Sequence, residues 1–249
     1  MVCLLYDAII FFTVVVPVSL PEIESVHWHL VGIGGAGMGA LAEILLGQGH
    51  RVTGTDRVLN ATTRRLQALG AEIACGHQEE LLVGAHAVVY STAIAPDNPS
   101  LVWAKKQRIP LRSRGQLLAD LMTQKKGIAV AGTHGKTTTT SLLVDVLRTA
   151  DHQPSFAIGG VLQSTQSNGC WGEGLHLVAE ADESDASFML LSPEVAVVTN
   201  IDEDHMHTYD HDFLRLTQGF LQFLQHIPAH GLAVLCWEDD AVRTVSRSL

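Results

Sequence analysis

Residues 131–138 combine the residue types and the spacing of a phosphate-binding loop. They follow an apolar, strand-like run at 127–130 and open an amphipathic helix. Glycines let such a loop turn tightly and aim backbone N–H groups at phosphate oxygens, while a lysine and a hydroxyl serve the terminal phosphates and a magnesium ion. The alternative is a glycine-rich turn that only begins a core helix. We predict an ATP site at Gly132, Thr133, His134, Gly135, Lys136, Thr137 and Thr138.

Two acidic clusters each follow a strand-like run further along the chain. Residues 175–179 lead into the cluster at 180–185, and residues 195–199 lead into the cluster at 200–205. In a parallel sheet, both clusters would arrive at the edge that carries the phosphate loop. Carboxylates there would repel a triphosphate unless a cation with hard oxygen ligands, such as Mg²⁺, lay between them. The clusters therefore predict Mg²⁺ beside ATP, against the alternative of two solvated acidic loops.

A second glycine-rich turn lies near the start of the chain. Gly32, Gly34 and Gly37 satisfy the pattern G-x-G-x-x-G between a strand at 27–33 and a helix at 40–46, and the next strand, 51–55, ends at Asp56. This βαβ pattern is typical of a diphosphate that lies on a helix N-terminus with a carboxylate at the end of the next strand. Alone it is weak evidence for NAD. The loop at 91–99 lies at the carboxyl end of another strand. Open α/β sheets bind ligands at the carboxyl ends of their strands.

The composition excludes several classes of protein. The formal net charge of −10 and the lack of a basic cluster argue against a nucleic-acid-binding protein. The four cysteines lie far apart without a C-x-x-C pair, so neither a zinc site nor a disulfide framework is predicted, and a reducing compartment fits. We interpret five histidines as surface or packing residues, namely His27, His29, His77, His86 and His211.

The order of the strands and helices predicts an α/β protein with two domains. Residues 26–114 form a Rossmann-like domain with a parallel sheet, and residues 115–249 form a P-loop ATPase-type α/β domain. Residues 1–25 are a mostly apolar extension that Asp7 and Pro17 interrupt, without a lysine or arginine to begin a secretory signal. We expect neither a membrane anchor nor a membrane partner from this extension.

Several motifs in order, at compatible spacing, resemble those of the Mur ligases. The short phosphate loop, in which Val130 replaces the first glycine of the common G-x-x-x-x-G-K-[ST] pattern, is the form that this family uses. The resemblance covers the chain from about Val26 onwards. It rests on residues 31–39, 91–94, 97–99, 131–140, 180–188, 198–201 and 204–206.

The resemblance implies an ATP-dependent, amide-forming ligase of cytoplasmic peptidoglycan precursor synthesis. The chain is most similar to family members that add L-alanine to UDP-N-acetylmuramate through an acyl phosphate, with ATP and Mg²⁺. By similarity, Lys136 holds the β- and γ-phosphates, Thr137 and Glu180 bind one magnesium ion, and His205 binds a second metal ion. The glycine turn then serves the diphosphate of UDP and not NAD. The UDP-sugar residues implied are Gly34, Gly35, Ala36, Gly37, Met38, Asp56, Ser91 and Thr92.

The family pattern continues beyond the position that matches Leu249. We therefore expect the ATPase-type domain of this chain to be incomplete, the carboxy-terminal domain to be absent, and the chain alone to form no amide bond. Three alternative functions stay open. They are a recycling ligase that joins a tripeptide to the same UDP-sugar, an NAD-dependent oxidoreductase, and a non-catalytic UDP-sugar-binding remnant.

Overall fold

One parallel sheet and one mixed sheet dominate the computed structural model, which describes residues 25–249. The apolar extension lies outside the described residues, apart from its last residue. The first sheet contains five parallel strands in the order β3-β2-β1-β4-β5. Its elements are β1 (His27–Val31), α1 (Ala36–Gly47), β2 (Arg51–Asp56), α2 (Ala61–Ala68), β3 (Glu72–Cys75), β4 (Ala87–Tyr90), α3 (Pro99–Lys106) and β5 (Leu111–Ser113).

The second sheet contains six strands in the order β11-β10-β6-β9-β7-β8, of which β7 and β8 form an antiparallel hairpin. Three 3₁₀ helices cover Glu79–Leu81, Ser187–Leu190 and Met206–Tyr209. The elements of this second part are α4 (Arg114–Met122), β6 (Lys126–Ala131), α5 (Lys136–Thr149), β7 (Ser155–Leu162), β8 (Ser167–Cys170), β9 (His176–Glu180), β10 (Val195–Val198), α6 (Phe213–Gln225), β11 (Leu232–Leu235) and α7 (Asp240–Ser246).

This architecture confirms the predicted α/β class with a Rossmann-like sheet followed by a P-loop-type sheet. The boundary between residues 114 and 115 stays a prediction, although β5 of the first sheet ends at Ser113 and α4 begins with the next residue. A capping box formed by Ser113 and Gln116 begins α4. No helix within residues 25–249 has the length and apolar character needed to cross a membrane.

The central strands of the second sheet are apolar and buried over most of their length. Strand β6, with the sequence KGIAVA, is buried from its second residue to its last, and the middle of β9 is also buried. Near-continuous apolar runs of this kind are expected in parallel sheets. Because β9 and β10 both pair with β6 in parallel, the two acidic clusters do arrive at the edge that carries the phosphate loop, as predicted.

Helix α1, which is apolar apart from Glu43, is buried because it lies between the first sheet and the β7–β8 hairpin. Every residue of its middle, 38–45, is buried. A helix that is hydrophobic all round belongs in an interior. The helix begins at Ala36 and not at residue 40, so the sequence analysis placed its first turn wrongly inside the glycine-rich turn. The turn itself is only residues 32–35.

Contact between α1 and β8 brings the two sheets together at very short range. A Cβ atom at Gly169 of β8 would overlap the carbonyl oxygen of Ala40 in α1. Beside this contact, buried Glu43 of α1 pairs with Arg65 of α2, and Arg65 Nη2 also donates to Asn168 Oδ1 of β8 at 2.8 Å. One apolar cluster runs through α1 and α4 into the second sheet. The relative position of the two sheets is therefore fixed by packing and by a buried polar network.

The close approach at Gly169 predicts a large effect of a single methyl group. We expect Gly169→Ala to lower the free energy of unfolding by roughly 1–3 kcal/mol, because α1 and β8 must separate to admit the Cβ atom. Denaturation in urea measures this change. The control is Gly219→Ala in α6, where a Cβ atom would lie 3.4 Å from Phe188 Cζ in ordinary contact, so that helix propensity should make it neutral or stabilising. Equal destabilisation by both changes would contradict this interface.

Candidate functional site

The predicted phosphate loop connects β6 to α5, and its backbone conformation requires glycine at two positions. Gly132 has φ of +133° and Gly135 has φ of +84°, values that L side chains rarely adopt. A Cβ atom at Gly132 would also overlap Thr199 Oγ1. Gly135 is the N-cap of α5 and brings no side-chain hydrogen bond to the first helical turn. Thr137 and Thr138 lie exposed in that turn.

The loop after β10 holds the phosphate loop in place. The Asn200 side chain forms two hydrogen bonds with the His134 backbone. Asn200 Oδ1 accepts from His134 N at 2.9 Å, and Asn200 Nδ2 donates to His134 O at 2.8 Å. Thr199 Oγ1 donates to the same carbonyl at 2.7 Å. Asp202 N donates to Thr133 Oγ1 at 2.9 Å. The sequence analysis gave Thr199 and Asn200 no such role, because their contacts depend on β10 lying beside β6.

Lys136 is folded back over the loop and forms an ion pair with Glu183. Its Nζ lies 2.7 Å from Gly132 O, 3.2 Å from Thr133 O, and 2.9 and 2.7 Å from the two carboxylate oxygens of Glu183. Glu183 is only 1% exposed. Burial raises the pKa of Glu183, and the Lys136 ammonium offsets part of that rise. The hydroxyl of buried Tyr209 donates to Glu183 O at 2.7 Å, which fixes the backbone beneath the pair.

Glu180 and Thr137, two of the predicted metal ligands, both lie against strand β7. Glu180 Oε1 accepts a hydrogen bond from Gly159 N at 2.9 Å. A Cβ atom at Gly160 would lie 3.0 Å from Thr137 Cγ2. The two glycines therefore leave room between the carboxylate and the start of α5. Within residues 25–249, no three His, Cys, Asp or Glu side chains are grouped so that they could hold a metal ion by themselves.

His205, the predicted ligand of a second metal ion, is not brought into this group. It is exposed, has φ of 52°, and its Nε2 lies 3.7 Å from Asp204 Oδ2. Its ring packs edge-on against His207, with centroids 6.3 Å apart. Its metal-binding role stays a prediction.

A cavity of about 370 Å³ opens between the two sheets and collects predicted residues from both. The glycine turn and the start of α1 form one wall, and the acidic loop after β9 forms the opposite wall. The predicted residues that line it are Gly35, Ala36, Gly37, Met38, Ser91, Thr92 and Glu180. UDP-sugar candidates and a magnesium candidate therefore meet in one space.

Arg114 crosses this cavity, and the sequence analysis missed it. Its Nη2 donates to Asp182 Oδ2 at 3.0 Å and to Asp185 Oδ2 at 3.1 Å, while a Cβ atom at Gly37 would lie 3.3 Å from Arg114 Cδ. Burial would raise the pKa of Asp185, but hydrogen bonds from Ser187 and the Arg114 charge hold it below its usual value. Arg114 stands at the predicted domain boundary, where the sequence offered only a charge beside a glycine.

These contacts distinguish the four acids of the loop after β9. Asp182 and Asp185 contact Arg114, and Glu183 contacts Lys136. Among the residues that the structure describes, no lysine or arginine forms a salt bridge with Glu180, and the only hydrogen bond of its side chain comes from a backbone N–H. Glu180, the last residue of β9, therefore differs from the other three acids in having no basic partner.

A larger cavity of about 700 Å³ lies at the carboxyl edge of the first sheet. Gly34 and Asp56 line it, as do Gly35 and Ser91, which also reach the first cavity. Asp56 is used structurally here, since its Oδ2 accepts from Gly34 N at 2.8 Å and its Oδ1 accepts from Val58 N at 3.2 Å. The two cavities are neighbours, since Gly35 and Ser91 line both.

Both halves of the chain match models of known protein domains. The family model described as "Mur ligase family, catalytic domain" matches residues 27–126, and the model described as "Mur ligase middle domain" matches residues 130–249. The chain belongs to the Mur ligase family. The resemblance inferred from the sequence motifs is thereby confirmed.

Relatives of known name lie within the same family. The UDP-N-acetylmuramate–L-alanine ligase of Aromatoleum aromaticum is 55% identical over 217 residues, which cover 87% of this chain and 46% of that protein. The chain thus spans about half the length of the curated relatives that it matches.

Two solved Mur ligase structures share the fold. The UDP-N-acetylmuramate-alanine ligase of Thermotoga maritima has a TM-score of 0.81 and 30% identity, over 88% of this chain and 51% of that chain. The UDP-N-acetylmuramate:L-alanyl-gamma-D-glutamyl-meso-diaminopimelate ligase of Neisseria meningitides has a TM-score of 0.83 and 27% identity, over 90% and 75%.

The pairing of Asn200 with His134 predicts how the phosphate loop responds to its loss. We expect Asn200→Ala to release the loop, so that the backbone amides of residues 133–135 exchange with solvent at least tenfold faster, because two hydrogen bonds that hold them closed are gone. Hydrogen exchange followed by mass spectrometry measures this rate. Amides of β6 serve as the internal reference and should keep their rates. Unchanged exchange in the loop would show that Asn200 does not hold it.

Proposed function

We propose that this chain carries the nucleotide and UDP-sugar sites of a ligase that joins L-alanine to UDP-N-acetylmuramate, with conversion of ATP to ADP and phosphate. The observation that carries this proposal is the cavity shared by Gly37 of the first sheet and Glu180 of the second. It places UDP-sugar candidates beside Glu180, and Glu180 lies against strand β7, which Thr137 of the phosphate loop also approaches. The names of the relatives supply the identity of the sugar and of the amino acid.

The chemistry requires activation because a carboxylate is a poor acyl donor. A carboxylate oxygen of the muramoyl group attacks the γ-phosphorus of ATP, and the bond to the β-phosphate oxygen breaks, which gives an acyl phosphate and ADP. The neutral amine of alanine then attacks the acyl carbon through a tetrahedral intermediate. Phosphate leaves as the amide forms. Protein groups contribute chiefly by positioning the reactants and by stabilising charge, as in other phosphoryl transfers.

The phosphate loop has the parts needed to hold the triphosphate. The first turn of α5 presents N–H groups towards an anion, and Lys136 lies beside them with its ammonium over the loop. Its fixed positive charge would stabilise the phosphate oxygens as the γ-phosphoryl group moves. In this proposal, residues 132–138 bind ATP.

The hydroxyl of Thr137 and the carboxylate of Glu180 would hold one magnesium ion. Both are hard oxygen donors on either side of the β7 glycines, and Glu180 has no cation partner among the described residues. Mg²⁺ commonly binds through one or two protein oxygens together with substrate phosphates and water, so the donor set fits. When bound, the ion neutralises charge on the phosphate oxygens. His205 is proposed as the ligand of a second metal ion.

The UDP moiety is proposed to lie along the carboxyl edge of the first sheet, with its diphosphate at the start of α1. Residues 34–38 would cradle the diphosphate, while Asp56, Ser91 and Thr92 line the edge around it. Asp56 braces Gly34 in this arrangement, so it would act through the turn as well as on the ligand. We propose a cytoplasmic location for this reaction, as the family resemblance implies.

A tripeptide in place of L-alanine is the second candidate, because the Neisseria structure, a ligase of that class, shares the fold. The 55% identity to alanine ligases favours alanine. Competition between the two acceptors in an activity assay of the ligase would separate the candidates.

Two substitutions should separate the two ligands. We expect Lys136→Met to weaken ATP binding at least tenfold and to leave UDP-N-acetylmuramate binding unchanged, because it removes a charge from the phosphate loop alone. Gly37→Val should do the opposite, because its side chain would enter the cavity wall at Arg114. Calorimetry with each ligand measures both. Lys105→Met, an exposed change on α3, is the control, and loss of both ligands with either site variant would refute the assignment.

Glu180→Gln should alter magnesium dependence specifically. The amide keeps the shape of the side chain but loses the charge, so Mg²⁺ should no longer strengthen nucleotide binding as it does in the unchanged chain. ATP affinity should be compared with magnesium and with excess EDTA. Glu238→Gln, an exposed acid far along the chain, controls for net charge. If Glu180→Gln retained the full magnesium effect, Glu180 would not be a ligand.

A further inference from the structure

Lys136 already has more hydrogen-bond acceptors than it has hydrogens. An ammonium group has three N–H donors, and four oxygen atoms lie within 3.2 Å of Nζ. Two are loop carbonyls, of Gly132 and Thr133, and two belong to the Glu183 carboxylate. A phosphate oxygen that binds Lys136 must therefore displace one of these acceptors.

The Glu183 carboxylate is unable to move away from Lys136 without a large cost. It is 1% exposed, and its backbone is held by the Tyr209 hydroxyl at 2.7 Å. A buried carboxylate that loses its cation is strongly destabilised. Glu183 therefore stays beside Lys136 when a phosphate group arrives, and at least one of its oxygens keeps its hydrogen bond.

The pair at the phosphate loop thus carries almost no net charge. Without Glu183, the Lys136 ammonium would attract a nucleotide phosphate strongly in this partly enclosed place. The Glu183 carboxylate, a few ångströms further from the phosphate, repels it. We propose that Glu183 is a fixed counter-ion that weakens the hold of the phosphate loop on nucleotides, and so permits ADP to leave. This inference rests on the proposed function, in which the loop binds ATP.

A counter-ion of this kind would speed the release of the product ADP. Product release limits the turnover of many enzymes, and a loop that binds ATP through N–H groups, a helix N-terminus and an unopposed lysine would also retain ADP. A buried acid lowers the affinity for both nucleotides without changing the shape of the loop. The other acids nearby are unsuited to this role, because Asp182 and Asp185 are already paired with Arg114.

The test is Glu183→Gln in the full chain, with calorimetry for ATP, ADP and inorganic tripolyphosphate. Glutamine keeps the size of the side chain and an oxygen that accepts from Lys136 Nζ, and it removes the negative charge. We expect all three ligands to bind roughly tenfold more tightly, since one repulsive charge within a few ångströms is lost. Binding of UDP-N-acetylmuramate should not change. Glu173→Gln, an exposed acid that precedes β9 at the opposite edge of the sheet, should leave nucleotide binding as it is.

A pair of variants separates repulsion from simple positioning of the lysine. Glu183→Gln keeps an oxygen that can orient Lys136 Nζ, Glu183→Ala removes that oxygen, and both remove the negative charge. If Glu183 repels phosphate, both variants should bind nucleotides more tightly. If Glu183 only orients Lys136, the glutamine variant should bind as the unchanged chain does and the alanine variant should bind more weakly. Glu183→Ala also serves if the glutamine variant does not fold.

The outcomes are distinct. Tighter nucleotide binding by both Glu183 variants supports the inference. Unchanged or weaker binding by Glu183→Gln, while the unchanged chain binds ATP, overturns it and leaves the proposed function standing. Failure of the unchanged chain to bind any of the three phosphate ligands would overturn the proposed function, and this inference with it.

Discussion

The contact between α1 and the β7–β8 hairpin is the constraint on which the arrangement of the site depends. At Gly169 the hairpin approaches the Ala40 carbonyl so closely that a methyl group has no room, and Arg65, which pairs with buried Glu43 of α1, also donates to Asn168 of the hairpin. The hairpin begins in β7, which also touches Glu180 and Thr137 through two glycines. One strand thus connects the packing between the sheets to the proposed magnesium site.

Pairing of charges explains how so many acids can lie beside a phosphate loop. Arg114 pairs with both Asp182 and Asp185 across the cavity and offsets part of their charge, and Lys136 pairs with Glu183 beneath the loop. Glu180 alone of this loop has no lysine or arginine in contact within the described chain. Each acid therefore has a different capacity for chemistry, although the sequence presents them as one cluster. Their partners come from distant segments, which is why their roles follow from the fold.

Local sequence predicted those parts of the site whose geometry is local. The phosphate loop lies between a strand and a helix because glycine, lysine and threonine at that spacing demand it, and the clusters after β9 and β10 reach its edge because parallel strands end together. The β7–β8 hairpin was not predicted, since residues 155–170 have no clear apolar period. The contact partners Arg114 and Asn200 were missed because their roles exist only after β5, β9 and β10 have assembled. The roles of Lys136, Glu180 and His205 stay predictions.

The central claim is that UDP-sugar and ATP meet in the cavity between the sheets. A crystal structure of the chain with UDP-N-acetylmuramate, Mg²⁺ and a non-hydrolysable ATP analogue tests it most directly. The account predicts the muramoyl carboxylate between Gly37 and Glu180, with one of its oxygens about 3–4 Å from the γ-phosphorus. A UDP-sugar bound away from the glycine turn, or a triphosphate directed away from the cavity, would contradict it.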